Sequence, residues 1–190
     1  MSVLILGLVL FIGTHCVSTL PARRADLISR RGAGSFKAAY SIASLIGLVL
    51  IAWGFARYRA EGMIQLWTPP AFTRHLALTL MWFAFVALAA AYSPAGRIKG
   101  WLKHPMLTAV KIWALAHLLA NGDLGGLLLF GSLLAFAVYD RISVKRRGDA
   151  GAPPLSAFTA GDGVAVGAGT AAYAAMLYLH PLLIGVAVLR

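Results

Sequence analysis

The stretch HPMLTAVKIWALAHLLANGD, residues 104–123, is apolar over most of its length, yet it carries two histidines, a lysine and a closing Asn-Gly-Asp. Pro105 suits the first turn of a helix, where its missing N–H removes no intrahelical hydrogen bond. Gly122 is typical of the residue just past a helix end. Polar groups inside hydrocarbon are costly and usually face a bundle interior or a site. The stretch therefore predicts a membrane helix that carries the function.

The composition of the whole chain predicts further helices of this kind. The 190 residues are 60% hydrophobic with a mean hydropathy of +0.80, whereas soluble domains average about 45–50% apolar residues. A span needs roughly 20 apolar residues. Six segments approach that length, namely 2–20, 38–57, 72–92, 105–121, 124–141 and 163–188. The sequence predicts an all-α polytopic membrane protein, a six-transmembrane-helix bundle in which residues 1–190 form one domain.

The distribution of basic residues predicts the orientation. The net charge is +11, but Lys and Arg fall mostly in loops between apolar segments, which argues against nucleic-acid binding and for contact with membrane lipid. Twelve of them lie in the first, third and fifth loops, and four lie in the second loop and at the C-terminus. The positive-inside rule then places the first, third and fifth loops in the cytoplasm. Both termini are predicted to be periplasmic.

Helical geometry separates the polar residues of the 104–123 stretch into two groups. His104 and His117 lie about 20 Å apart along the axis and roughly 140° apart around it, so they cannot share one metal. Lys111 lies on nearly the same face as His104, about 10 Å deeper. Trp113, His117 and Asn121 form a separate stripe at i, i+4 and i+8.

The five histidines, His15, His75, His104, His117 and His180, all lie within or at the ends of predicted spans. Bundle cores present cofactor ligands from facing helices, and haem b needs only one or two axial imidazoles with no CxxCH attachment. Each ring could instead bond a neighbouring carbonyl or lie at the membrane interface. His117 is the strongest ligand candidate because it lies deep and is flanked by Trp113.

The remaining polar residues have ordinary explanations. Lys111 is expected to extend to the interface or to pair with a carboxylate, for which Asp123 and Asp140 are the nearest in sequence. Cys16 is the only cysteine, which excludes an internal disulfide and a cysteine metal cluster.

Three features of the last third of the chain predict local structure. Residues 148–162, rich in Gly, Ala and Pro, indicate a flexible cytoplasmic linker. In the last span, small residues recur every fourth position and predict a ridge of close helix contact: Gly163, Gly167, Ala171 and Ala175. Pro181 is expected to kink or end that helix.

Several runs of the chain closely resemble the NnrU family of bacterial membrane proteins: residues 15–23, 104–106, 111–123 and 128–132, with agreement at Tyr40-Ser41, Trp53-Gly54 and Arg74-His75-Leu76. The resemblance implies a bacterial inner-membrane location and a link to denitrification, in nitrite and nitric oxide reduction.

The family also resembles plant zeta-carotene isomerase, a membrane haem b enzyme that isomerises a lipophilic polyene. This second resemblance implies haem b, with His15 and His117 as the metal ligands and His75 and His104 as further matching positions. The isomerase has a cysteine where this chain has Ala114, which excludes a thiolate ligand there.

Depth along the spans favours a different pairing. His15 is expected about 10 Å above the cytoplasmic face and His117 about 20 Å above it, whereas two axial ligands of one haem must be nearly level. By depth alone, His75 or His180 is the better partner for His117. We rank His15 first because of the motif and keep His75 and His180 as alternatives.

Two other functions compete with haem binding. The His104-Pro105 motif also resembles membrane isoprenylcysteine methyltransferases, which use S-adenosylmethionine, but those enzymes carry paired glutamates and this chain has only Glu61. A cofactor-free scaffold is the third hypothesis. The sequence leaves Asn121 and Asp123 as polar candidates of unassigned role.

Overall fold

The structure is a computed structural model, and it describes residues 1–189. Over that range the chain forms helices and turns but no β-strand. The helices are α1 (Ser2–Cys16, followed by a 3₁₀ turn at Val17–Thr19), α2 (Pro21–Arg31), α3 (Ala33–Ala60), α4 (Ala71–Tyr92), α5 (Arg97–Leu102), α6 (Pro105–Ala120), α7 (Leu124–Arg146) and α8 (Ala160–Ile184).

Five of these elements are long and apolar enough to cross a membrane: α1 with its 3₁₀ turn, α3, α4, α7 and α8. Their large apolar side chains are widely exposed, for example Val9 at 66%, Phe72 at 67% and Leu182 at 79%. Apolar surface on this scale is unfavourable in water and suits contact with lipid tails. The predicted all-α membrane fold is confirmed.

Helix α6, in the place of the fourth predicted span, is shorter than the others. Its 16 residues extend about 24 Å at 1.5 Å per residue, whereas the hydrocarbon core is about 30 Å thick. The count of six spans is therefore approximate, with five long spans and one short apolar helix.

The chain divides into two compact units, and α7 contributes residues to both. The first unit comprises residues 1–68 and 122–136. In it α1 packs against α3 through glycines that have no room for a side chain. A Cβ on Gly7 would lie 2.6 Å from the Ile51 nitrogen, and one on Gly54 would collide with the Leu4 backbone. Small residues of this kind let helix backbones approach closely in membranes.

The second unit comprises residues 69–121 and the part of the chain from 137 onward. Its central helix is α4, which packs against both α6 and α8. The α4–α8 contact uses Gly169, where an added Cβ would lie 2.6 Å from Val86 Cα, and Ala165, which is buried.

The predicted small-residue ridge of α8 is wrong. The four ridge residues, Gly163, Gly167, Ala171 and Ala175, are all exposed. Two glycines of the ridge, Gly163 and Gly167, have no neighbour within 4 Å of an added Cβ. Both faces of the helix carry small residues, so spacing alone could not identify the one that packs.

The predicted flexible linker at 148–162 is instead held against α5 and the start of α6. The Ala152 N–H donates to the Lys103 carbonyl at 2.8 Å, and Pro153 passes so close to Gly100 that a Cβ there would lie 2.6 Å from the Pro153 carbonyl oxygen. These contacts make the segment part of the second unit.

Helix α8 passes through Pro181 and continues to Ile184. Gly185 ends it in the left-handed conformation, with φ 78° and ψ 17°. The helix therefore ends one turn beyond Pro181. It ends at Gly185 because a glycine adopts the left-handed conformation of a helix end without steric cost.

Candidate functional site

The imidazole of His117 is held in one orientation by its own helix. Its Nδ1 lies 2.8 Å from the Trp113 carbonyl oxygen, one turn earlier in α6. A carbonyl oxygen only accepts, so Nδ1 carries the proton, and Nε2 of the neutral ring is then the atom with a lone pair. Histidines that bind metals commonly use this arrangement, because the hydrogen bond at one nitrogen fixes the tautomer and aims the other.

The predicted stripe of Trp113, His117 and Asn121 is confirmed as a set of neighbours. The Trp113 and His117 rings are 5.1 Å apart between centroids. The Asn121 side chain donates through Nδ2 to the His117 carbonyl at 2.7 Å. Because that carbonyl lies in the last turn of α6, Asn121 caps the helix and holds the backbone of His117 in place.

His180 is the histidine that the second unit brings towards His117. The two imidazoles lie within range of electrostatic interaction. His180 is half-buried, and its Nδ1 lies 2.8 Å from the Val186 carbonyl oxygen, beyond the end of α8. Its ring therefore has the same tautomer as that of His117, with Nε2 as the acceptor.

His15 lies in the first unit among aromatic rings. Its Nδ1 contacts the Phe11 carbonyl oxygen at 2.8 Å, again leaving Nε2 as the acceptor. The Phe11 ring stacks on it at 4.2 Å between centroids, Tyr40 lies at 5.3 Å, and Phe136 approaches edge-on at 6.0 Å. Phe11 lies four residues before His15 in α1, a spacing that could have revealed their contact. Tyr40 belongs to α3, so no spacing within one helix could have predicted its position.

The other candidate residues are used differently. His75 is exposed near the start of α4, and its carbonyl accepts from Thr79 Oγ1. Asp123 is buried and accepts the Gly126 N–H through Oδ1 at 2.8 Å, so it caps α7. Lys111 is half-buried, and neither ion pair found within residues 1–189, Arg30–Asp26 or Arg57–Glu61, involves it.

His104 precedes the first residue of α6 as its N-terminal cap. Its Nε2 is buried and has no hydrogen-bond partner within the described chain. Two lysines that sequence reasoning used only for orientation, Lys99 and Lys103, line the same cavity as His104. The signal that could have found them is their position five residues and one residue before His104.

An apolar cavity of about 230 Å³ lies in the second unit. Its seven lining residues come from α4 and α6: Met81, Ala84, Phe85, Leu88, Ala109, Val110 and Trp113. Trp113 thus lines the cavity, and its carbonyl also orients His117. Within residues 1–189 no group of three or more His, Cys, Asp or Glu side chains could hold a bare metal ion.

Comparison with known proteins gives one match. A family model described as NnrU protein matches residues 3–188, nearly the whole chain. No curated protein and no solved structure matches significantly.

Proposed function

The chain belongs to the NnrU family, and we propose that this membrane protein binds haem b through the imidazole of His117. The observation that carries the proposal is the hydrogen bond from His117 Nδ1 to the Trp113 carbonyl, which leaves Nε2 with its lone pair as an axial ligand requires. Because haem b is held by one or two imidazoles, a cluster of three ligating side chains is not needed.

We take His15 as the second axial ligand, as the resemblance to the isomerase implies. His180 is the alternative, and two observations favour it. It belongs to the same unit as His117 and lies within electrostatic range of it. Both candidates have Nδ1 against a carbonyl oxygen, so both present Nε2.

The residues around His117 have three tasks in this proposal. Trp113 orients the imidazole through its carbonyl and lines the apolar cavity. Asn121 holds the end of the helix that carries His117. The apolar residues of the cavity lining exclude water. The cavity of about 230 Å³ is below the roughly 300–1,000 Å³ of usual ligand sites, so it does not by itself hold a whole macrocycle. When bound, the haem iron supplies electron exchange and coordination of nitric oxide.

The biological role we propose is in nitrite and nitric oxide reduction, in the inner membrane of a bacterium with both termini in the periplasm. Redox-dependent isomerisation of a lipophilic polyene is the alternative role. Ala114, where the isomerase has its cysteine, is 0% exposed. It therefore serves as a close-packing residue of α6.

The position of Glu61, the only glutamate in the chain, argues against the methyltransferase hypothesis. Glu61 accepts from Arg57 Nε at 3.0 Å at the end of α3, where both side chains are exposed. A residue used this way on the surface supplies nothing to a buried methyl-transfer site.

Absorption spectroscopy tests the proposal. The full chain, expressed with ample haem and purified in detergent, should show a Soret band and a haem b pyridine haemochrome, and His117→Ala should abolish both. His75→Ala is the matched control, because that ring is exposed, and it should keep the band. A colourless wild-type protein, or a band unchanged in His117→Ala, would refute haem binding at this residue.

The same spectra identify the second ligand. Loss of the second imidazole, with His117 still holding the haem, would leave the iron with one histidine ligand and would shift the Soret band. We expect this shift in His15→Ala and an unchanged spectrum in His180→Ala. The reverse result would identify His180 as the second ligand and would not change the assignment of His117 as the first.

A further inference from the structure

A second cavity of the second unit lies at the end of the helices that is predicted to face the cytoplasm, and its lining does not include His117. It has a volume of about 420 Å³, within the size range of ligand sites. Its lining combines basic and apolar side chains from α4, α5, α6 and the docked segment after α7: Ala91, Lys99, Lys103, His104, Pro105, Met106, Leu107 and Ala152.

The ammonium group of Lys99 is fixed at this cavity. Its Nζ donates to the Ser93 carbonyl at 2.8 Å and to the Ala91 carbonyl at 3.1 Å. An ammonium has three N–H donors, so one remains for a ligand. The carbonyl contacts hold the charge in place without neutralising it, because no carboxylate lines the cavity.

Lys103 supplies the second positive charge, and the backbone at this residue is strained. Among the described residues it is the one non-glycine with positive φ, at 59°. Such conformations are strained and are found at functional sites. The Lys103 carbonyl also accepts the Ala152 N–H, which holds the docked segment at the wall of the cavity.

His104 adds a polar ring atom that the protein does not satisfy. Its buried Nε2 has no hydrogen-bond partner within residues 1–189, and it lies so close to Gly151 that a Cβ there would be 2.9 Å away. Next to it, Met106 and Leu107 lie in the first turn of α6, whose backbone N–H groups favour negative charge. An anion in the cavity would lie among the basic residues Lys99, Lys103 and His104, at the N-terminus of α6.

We propose that this cavity binds the phosphate group of an anionic lipid, with the charge at Lys99, Lys103 and His104 and the chain of the lipid against Ala91, Met106 and Leu107. A lipid suits the cavity better than free phosphate because the lining is mostly apolar apart from those three residues. The predicted cytoplasmic side is where anionic headgroups attract basic residues. The proposal is independent of haem, because neither His117 nor Trp113 lines this cavity.

Binding of short-chain lipids to the full chain in neutral detergent tests the proposal, with native mass spectrometry as the readout. We expect saturable binding of dioctanoyl phosphatidate and much weaker binding of dioctanoyl phosphatidylcholine. Lys103→Gln should weaken phosphatidate binding about tenfold or more, since it removes a hydrogen bond to a charged group. Lys103 is exposed, so this variant should fold. Lys99→Gln is a poorer choice, because it would also remove the hydrogen bonds of Lys99 to the end of α4.

Lys145→Gln is the matched control, because Lys145 is an exposed lysine on the same predicted side and does not line the cavity. An equal loss of binding in that variant would overturn the proposal, as would equal affinity for the two lipids or no saturable binding. Displacement of phosphatidate by inorganic phosphate at a similar concentration would overturn the assignment to a lipid.

A second variant separates ligand binding from stability. Lys103→Gly should relieve the backbone strain at positive φ and so keep or raise the melting temperature. Its affinity for phosphatidate should still fall about tenfold, as in Lys103→Gln. A purely structural Lys103 would give unchanged binding in this variant, which would contradict the proposal.

Discussion

At the residue scale, the carboxylate of Asp162 connects two helix N-termini. Its Oδ2 accepts from the backbone N–H groups of Arg97, in α5, and of Thr159, the cap of α8, at 2.9 and 2.8 Å. Its Oδ1 accepts from the Ile98 N–H at 2.7 Å. The Thr159-x-x-Asp162 spacing is a capping box that the sequence alone could have revealed. The bonds to α5 could not be foreseen, because they join residues more than sixty positions apart.

Replacing Asp162 by Asn should lower the melting temperature of the purified protein. The amide retains one accepting oxygen, but its NH₂ group would face a backbone N–H, so at least one buried donor loses its partner. Far-UV circular dichroism during heating measures the effect. Asp149→Asn is the control, because Asp149 is exposed and accepts a single N–H, that of Gly151. Equal melting temperatures for the two variants would contradict the role given to Asp162.

At the element scale, the helix contacts depend on glycines whose importance cannot be read from spacing. Gly169 and Gly167 differ by two positions in α8, yet an added Cβ would lie 2.6 Å from Val86 Cα at the first and meet nothing within 4 Å at the second. Gly169→Ala should destabilise the protein by about 1–3 kcal/mol through overpacking. Gly167→Ala should leave it unchanged or stabilise it by roughly 0.5–1 kcal/mol. Unfolding titrations with denaturing detergent compare the two, and equal effects would contradict this helix packing.

The contact of α1 with α3 gives an independent test of the same principle in the first unit. Gly54→Ala would drive a Cβ into the Leu4 backbone, and it should destabilise the protein by about 1–3 kcal/mol. Gly13 lies in α1 with no atom within 4 Å of an added Cβ. Gly13→Ala is therefore the control, and it should be neutral or slightly stabilising in the same titration.

Sequence patterns predicted the long helices well and the connections poorly. Runs of apolar residues placed α4 at 72–92, and it forms at Ala71–Tyr92, because hydrophobicity over twenty residues is a property of the segment itself. The first loop was not expected to be helical, yet α2 forms there as Pro21–Arg31. The segment at 148–162 docks because Gly100 admits it and because Arg97 lies 5.0 Å from the Phe158 ring, and such pairings depend on tertiary structure.

The candidate site was predictable only in part, for a similar reason. Periodicity within one helix placed Trp113, His117 and Asn121 together, because residues four apart are neighbours on any α-helix. The contacts of His15 with Tyr40 and Phe136 join different helices, so periodicity within one helix could not predict them. Depth alone favoured His75 or His180, and the motif favoured His15, so the identity of the second ligand stays a prediction that the spectra test.

At the scale of the whole molecule, the topology depends on the short helix α6. If all six apolar segments cross the membrane, positions 61 and 189 lie on the periplasmic side and position 145 lies in the cytoplasm. If α6, with 16 residues, does not cross, positions 145 and 189 exchange sides while position 61 stays. The positive-inside rule favours the first arrangement, because Lys145 and its basic neighbours are then cytoplasmic.

Cysteine labelling distinguishes these two topologies. Cys16 is the single native cysteine, so Cys16→Ser provides a background for Glu61→Cys, Lys145→Cys and Leu189→Cys, each at an exposed position. In intact spheroplasts a membrane-impermeant maleimide should label Glu61→Cys and Leu189→Cys but reach Lys145→Cys only after permeabilisation. Labelling of Lys145→Cys in intact spheroplasts, with protection of Leu189→Cys, would show that α6 does not cross. The structure favours the first arrangement, because the Ala152 N–H donates to the Lys103 carbonyl at 2.8 Å. If α6 did not cross, these two residues would lie on opposite sides of the membrane and the cavity that both line could not form.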